Sequence, residues 1–249
     1  MRLLLAAALF AGCASLEPVP SFHEARFRAV HLDTLAPARH DQFIAARQEW
    51  LAALQAAGRP PDGRGLFLEL SDHRVWSLRP LRSMADLDRP REPDDPEGLK
   101  PARKKYDDAS DEALVPPHGN EVWVREPDLD YPGADPALDE LTAGASLVVM
   151  EQLLPSPPHG DAYEAAWAQM KSALQAKKYP LRRVSYWSRY GSGKLITFWL
   201  AHSEEELRAT PAPELMVGPD VLAKWKGALA STETAYARYR RDLSGTVVP

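Results

Sequence analysis

A chain of 249 residues, 45% hydrophobic and 26% charged, has the composition of a globular protein with room for one large domain or two small ones. A formal net charge of -5 and a pI near 5.8 leave no basic surface of the kind that neutralises phosphates, so nucleic acid is excluded as an expected partner. The 23 prolines favour short elements joined by stiff connections.

The chain begins "MRLLLAAALFAGCASLEP". One positive charge at Arg2, an apolar run from Leu3 to Ala11 and then small residues form the layout of a secretory signal, too short to span a bilayer as a stable helix. The only cysteine, Cys13, follows directly. Phe10, Ala11 and Gly12 before Cys13 resemble the lipobox of bacterial lipoprotein precursors, with Phe10 standing where that family has leucine or valine. The resemblance implies cleavage after residue 12, acylation of Cys13 and a membrane anchor, with residues 13–24 as a tether. Ala14 is not the aspartate of an inner-membrane retention signal, so the expected location is the outer membrane, facing the periplasm. The alternative is an ordinary signal cleaved near Ala11 or Ala14.

The next elements occur twice, at an offset of 120 residues. Pro37/Pro157, Asp41/Asp161, Ala45/Ala165, the tetrapeptide "ALQA" at Ala53 to Ala56 and Ala173 to Ala176, Pro60/Pro180, Ser83/Ser203 and Leu87/Leu207 hold one ungapped register. Each copy opens with a β-like run, "FRAVHLDTL" or "SLVVMEQLL". A helix follows, with Asp41 or Asp161 at its start, where a carboxylate meets free backbone N–H groups. Phe43, Trp50, Leu51 and Leu54, and Tyr163, Trp167, Met170 and Leu174, recur at helical spacing. Gly58 ends the first helix and Tyr179-Pro180 the second.

Two strands joined by a tight turn come next: "GLFLEL", "SDHR", "VWSLRPL" in one copy and "RVSYWSRY", "GSGK", "LITFWLAHS" in the other. A second helix is expected after Ser83 and after Ser203. The fourth strand is "EVWVRE" in the first copy. In the second, "TETAYARYRRDL" allows strand or helix, and strand is preferred. Residues 88–120 are charged and broken by proline, and are expected to be a solvent-exposed excursion around a short helix. The resulting division is a first module over 25–130 with that insertion, a linker over 131–145 and a second module over 146–249.

The order β-α-β-β-α-β is that of a ferredoxin-like module, so the fold class is α+β with two tandem copies. With "LDTLAPARHDQFIAARQEWLAALQAAG" and "VWSLRPLRSMADLD" as the carrying stretches, the chain resembles the dimeric α+β barrel superfamily, in particular its antibiotic-biosynthesis-monooxygenase-like and NIPSNAP-like branches. The resemblance implies an intramolecular pseudo-dimer sharing one barrel interior, compatible with a monomeric chain.

Chemical motifs are scarce. "YGSGKL" lacks the upstream glycine and the hydroxyl after Lys194 that a phosphate loop requires, and reads as a hairpin turn. The seven histidines form no i, i+4 helix pair and no HxH strand pair, so no metal site is expected. No G-x-S-x-G occurs, and no cysteine survives acylation to act as nucleophile. No catalytic residue and no cofactor are assigned.

Strand alternation supplies the one candidate constellation. If Trp76 and Leu78, with Ile196 and Phe198, lie under the helices, then Val75, Ser77 and Arg79, with Leu195, Thr197 and Trp199, face the barrel interior. The same reasoning places His31, Asp33, Phe67, Glu69, Glu151, Leu153, Trp187 and Arg189 there. Glu69 and Arg189 are register equivalents and are expected to pair across the internal interface. The interior is then either a buried charge network fixing how the halves dock, or a pocket for a small amphipathic ligand walled by Trp187 and Trp199. The expected function is that of a lipid-anchored, non-enzymatic ligand-binding or interaction component. The alternative, implied by the resemblance, is a monooxygenase-like or haem-binding enzyme using His31 or Arg79.

Overall fold

The computed structural model describes residues 25–58, 65–87, 97–133, 145–156 and 161–244. Eight strands close into one antiparallel barrel in the order β1-β3-β2-β8-β5-β7-β6-β4. They are β1 (Phe27–Leu35), β2 (Leu66–Leu70), β3 (Arg74–Leu81), β4 (Leu114–Arg125), β5 (Leu147–Pro155), β6 (Arg182–Tyr190), β7 (Leu195–Ala201) and β8 (Leu229–Tyr239). The first four strands are contiguous in the barrel, as are the last four, and the two arcs meet at β2 with β8 and at β4 with β6.

Helices α1 (His40–Ala56), α2 (Lys100–Ala113), α3 (Asp161–Ala176), α4 (Glu204–Ala209) and α5 (Pro219–Gly227) lie outside. Phe43, Ile44, Trp50 and Leu54 of α1, and Tyr163, Trp167, Met170 and Leu174 of α3, are buried, as their spacing requires. Both helices end on a residue with positive φ, Gly58 at 68° and its register equivalent Lys178 at 52°. Ser203 caps α4, its Oγ accepting from the Glu206 N–H at 3.1 Å. The segment whose assignment the sequence leaves open is strand β8.

Two expectations on secondary structure are corrected. Among the described residues directly after Ser83 there is a short 3-10 turn, Met84–Leu87, where the Asp86 carboxylate accepts from the Arg82 backbone N–H at 2.7 Å. The described part of the 88–120 stretch is not an excursion: α2 runs for 14 residues and leads straight into β4. Leu99, Ala102 and Tyr106 recur at helical spacing and pack with Trp50 and Leu54 of α1. Dense charge on the remaining faces hides this narrow apolar stripe.

The barrel interior is solid. Leu66, Leu68, Leu70, Trp76, Leu78, Trp123, Val148, Met150, Val184, Tyr186, Ile196, Phe198, Ala237 and Tyr239 form one cluster, centred on Trp123, whose ring lies 5.5 Å from Trp76, 5.9 Å from Tyr186 and 6.0 Å from Phe198. Arg28, 1% exposed, closes one end with its guanidinium 5.8 Å from the Tyr186 ring centroid. At the other end Glu121 accepts from Trp123 Nε1 at 2.6 Å and from Ser188 Oγ at 2.8 Å.

This reverses the expected facing. Trp76, Leu78, Ile196 and Phe198 point inward, and the opposite set lies on the outer face: Phe67 and Val75 pack with Phe43 and Ile44, while Leu153, Leu195 and Trp199 pack with α3. In a helix-covered barrel both sheet faces are buried, all seven residues of β7 included, so alternation fixes the two faces without saying which one is inside.

Each arc sends its tail into the other arc's helix layer. Behind β4, Leu129 and Tyr131 join the cluster under α3, and Asp130 Oδ1 accepts from the Ser185 N–H at 3.0 Å. Behind β8, Leu243 joins the cluster under α1, and Ser244 Oγ accepts from the Phe67 N–H at 3.0 Å.

Candidate functional site

The nine residues expected to share one interior site fall into five separate places. Phe67 is core beneath α1, 6.4 Å from the Phe43 ring. Glu69 does not meet Arg189. Its Oε1 lies 2.7 Å from His40 Nε2 and its Oε2 pairs with Arg240, which fastens the β2–β8 seam to the start of α1. Arg189 is an exposed group 3.3 Å from Glu126 and 5.3 Å from the half-buried Trp187 ring.

Glu151 and Trp199 belong to a sealed polar cluster between the sheet and α3. Glu151 accepts from Thr197 Oγ1 at 2.9 Å and Trp199 Nε1 at 3.1 Å. Burial pushes its carboxyl above the usual range, the charge of Arg183 opposing that shift and Glu214 adding to it. Arg183 is fully buried, its guanidinium 3.7 Å from the Trp167 ring centroid, and donates to Tyr163 Oη at 2.8 Å. Arg183 Nε and Trp167 Nε1 find no acceptor among the described residues. Asp130, held by Arg125 and the Ser185 N–H, is pushed up to about 6 by burial. These are groups that lock the tail of β4 under α3.

His31 and Asp33 are brought together on the outer face of β1, and this is the open site. Asp33, whose side chain is 10% exposed, accepts from His118 Nδ1–H at 3.0 Å and lies 3.2 Å from His31 Nε2. His31 Nδ1 lies 2.6 Å from Asn120 Oδ1, so the ring donates to both neighbours only when it carries both protons. The His31 and His118 side chains remain 44% and 39% exposed. His118 reaches Asp33 because β4 bulges: Leu32 faces Gly119 while Thr34 faces Val115, leaving three residues opposite one. Ser77 and Arg79 continue this face on β3, opposite His31 and Ala29.

The sequence reading missed His118, Asn120, His40, Arg240 and Arg183. A strand interrupted as "VPPHGN" is the signal for the bulge that aims His118, since proline and glycine inside a strand mark irregular pairing. Nothing comparable marks Arg183, whose meaning comes from α3 and α5 folding over it.

Among the described residues, no group of three or more His, Cys, Asp or Glu is arranged to hold a metal ion, and no helix is long and apolar enough to cross a membrane. Haem does not fit the residues present. The barrel is filled, and the described histidines lie outside its core cluster, with His31, His40, His118 and His202 each beside a carboxylate. A groove of about 600 Å³ between α1 and α2 has an alanine floor of Ala45, Ala46 and Ala109 and a rim including Lys104 and Asp108, and its lining holds no His, Cys, Met or Tyr of the kind that ligates haem iron.

No protein-family profile matches the chain, and no curated protein sequence does. Solved structures match its fold. A provisionally assigned monooxygenase from Fusobacterium nucleatum aligns over 86% of this chain and 92% of its own, with a TM-score of 0.54 and 9% identity. A second such protein, from Lactobacillus acidophilus, aligns over 86% and 94%, with a TM-score of 0.50 and 7% identity. A mutant chlorite dismutase from Candidatus Nitrospira defluvii, in complex with cyanide, aligns over 88% and 93%, with a TM-score of 0.50 and 10% identity. At such identities the likeness is one of fold: a mixed α+β chain with a closed antiparallel barrel, in the company of dimeric α+β barrel proteins.

Proposed function

We propose that this chain is a lipid-anchored envelope protein built from two tandem ferredoxin-like modules, and that it serves as a non-enzymatic binding or interaction component. The observation that carries this reading is the filled barrel. Trp76, Trp123, Tyr186 and Phe198 occupy the shared interior in which the enzyme alternative would seat a substrate. The strand orders β4-β1-β3-β2 and β8-β5-β7-β6, together with the 120-residue register, support descent from a duplicated module whose two sheets dock as a pseudo-dimer. Cys13 lies outside the described residues, and the anchor, the outer-membrane location and the periplasmic orientation rest on the resemblance to a lipobox.

A paired experiment tests the reading. Cys13→Ala is expected to move the protein from the membrane fraction to the soluble fraction, and unchanged fractionation removes the anchor. Haemin added to the purified protein is expected to give the spectrum of free haemin; a stoichiometric Soret shift would restore the enzyme alternative.

A further inference from the structure

The two arcs treat one pair of sheet positions in opposite ways. His31 and Ser77 are cross-strand partners on β1 and β3, and their equivalents 120 residues on, Glu151 and Thr197, are cross-strand partners on β5 and β7. In the second arc the pair is 8% and 0% exposed, and Thr197 Oγ1 donates to Glu151. In the first arc the same positions stay open to solvent, flanked by exposed Arg79, His118 and Asn120. Three groups on this open face are without a hydrogen-bonding partner among the described residues: the Arg79 guanidinium, the Ser77 hydroxyl and Nε2 of His118. Exposed arginines are common singly. Here one shares a face with an imidazole whose other nitrogen is fixed by a buried carboxylate, an arrangement that orients the ring.

We propose that this face binds an extended small-molecule dianion, one carboxylate on Arg79 and the other on His118. The proposal deepens the reading of the chain as a binding component and rests on it. Arg79 stands at the level of Ala29 and His118 just past Leu32. That is ~13 Å along the sheet and ~10 Å across it, so a ligand with acidic ends roughly 10 Å apart is reached by an extended arginine and a bulge-aimed imidazole. Ser77 lies between the two ends, opposite His31. A guanidinium offers paired donors matched to a carboxylate. With Nδ1–H held by Asp33, His118 Nε2 donates to an anionic oxygen only when the ring carries both protons, so binding takes up a proton and weakens as pH rises. The titratable groups shown against His118 are Asp33, 3.0 Å from Nδ1, and His31, whose ring stacks 6.5 Å away, both on β1; on β3, Arg74 is engaged by Asp72 and Glu233. On β4 itself, Glu121 is turned into the barrel.

Isothermal titration of the detergent-solubilised full chain with octanedioate, at pH 6 and pH 8 and against acetate, tests this. Octanedioate is expected to bind at least tenfold more tightly than acetate at pH 6 and to weaken severalfold at pH 8. Arg79→Gln should weaken it about tenfold at both pH values, and His118→Gln should leave weak binding with no pH dependence. Equal affinity for acetate, absence of heat, or pH dependence surviving in His118→Gln overturns the proposal. Both side chains are exposed, so circular dichroism should show both variants folded. Failure of this titration leaves the Cys13 fractionation and the haemin result untouched, so the two readings fall separately.

Discussion

The helix layers of the two arcs hold a cation against aromatic rings in inverse fashion. In the first, the cation is on the helix: Arg47 of α1 lies 4.5 Å from the ring of Phe67 on β2 and 5.9 Å from that of Tyr106 on α2. In the second it is on the strand: Arg183 of β6 lies 3.7 Å from the ring of Trp167 on α3 and 5.9 Å from that of Trp225 on α5. Arg47 and Trp167 are register equivalents at the 120-residue offset, so the two arcs share the cation–π contact in kind and differ in which element supplies it. Each arginine also grips the other arc's tail. Arg47 donates to the Leu243 carbonyl at 2.9 Å, and Arg183 Nη1 to the Leu129 carbonyl at 3.5 Å. The lesson is that the clamp, rather than the identity of its residues, is what both halves require.

Burial separates the two clamps in energy. Arg183→Ala leaves Tyr163 Oη unpaired, removes the cation nearest Glu151 and opens a void under Trp167. A loss of about 3–5 kcal/mol is expected in urea unfolding. Arg47 is only part-buried, and Arg47→Ala is expected to cost about 1–2 kcal/mol, chiefly its hydrogen bonds to Leu243 and Tyr106. Equal costs would break the comparison.

The tails themselves come next. Leu243, fully buried, and Leu129, 7% exposed, are expected to lose about 2–4 kcal/mol each on substitution by alanine. If the tails couple the arcs, near-ultraviolet circular dichroism of either variant should report loosening of the tryptophans across both arcs in one transition. Independent melting of the two halves would count against the coupling.

The smallest effect is in pH. Asp130 has a folded-state pKa raised to about 6, above that of an unfolded aspartate, so its ionised form costs stability at neutral pH. Stability should therefore rise as pH falls from 7 toward 5, and Asp130→Asn should remove that rise. In the equivalent tail, Arg240 and Gln48 hold Asp242 below its usual range, so its contribution is present near neutrality and fades only as pH falls below about 4. Opposite pH slopes for Asp130→Asn and Asp242→Asn, read by thermal denaturation, would sharpen the contrast between the buried tail and the half-exposed one.

Much of the fold was legible because the repeated letters are packing letters. The helix faces and the hairpins follow from periodicity and turn chemistry, whereas at β8 the letters allow helix as well as strand. The facing of the strands was not legible, since β2 offers leucine on one face and phenylalanine on the other, and either set satisfies a core. The tails carry a faint signal that the 120-residue register cannot show: "DLD" at Asp128 to Asp130 and "DLS" at Asp242 to Ser244 are 114 residues apart. In both, the leucine is buried and the following oxygen accepts a strand N–H. Of the open face, His31, Asp33 and Arg79 were recognised as candidates. His118 was not, because its place depends on a bulge that periodicity treats as noise.

The crossed tails have a mechanical consequence. The chain enters the barrel through β1 of the first arc, and its last described segment, Arg241–Leu243, finishes against α1 of that same arc. The second arc is thus suspended as a loop between two attachments on the first, and force applied at either terminus loads the first arc before it reaches β5 through β8. Under a pull applied at the N-terminal side of β1, the first arc bears the strain, and the sealed arc is shielded from it.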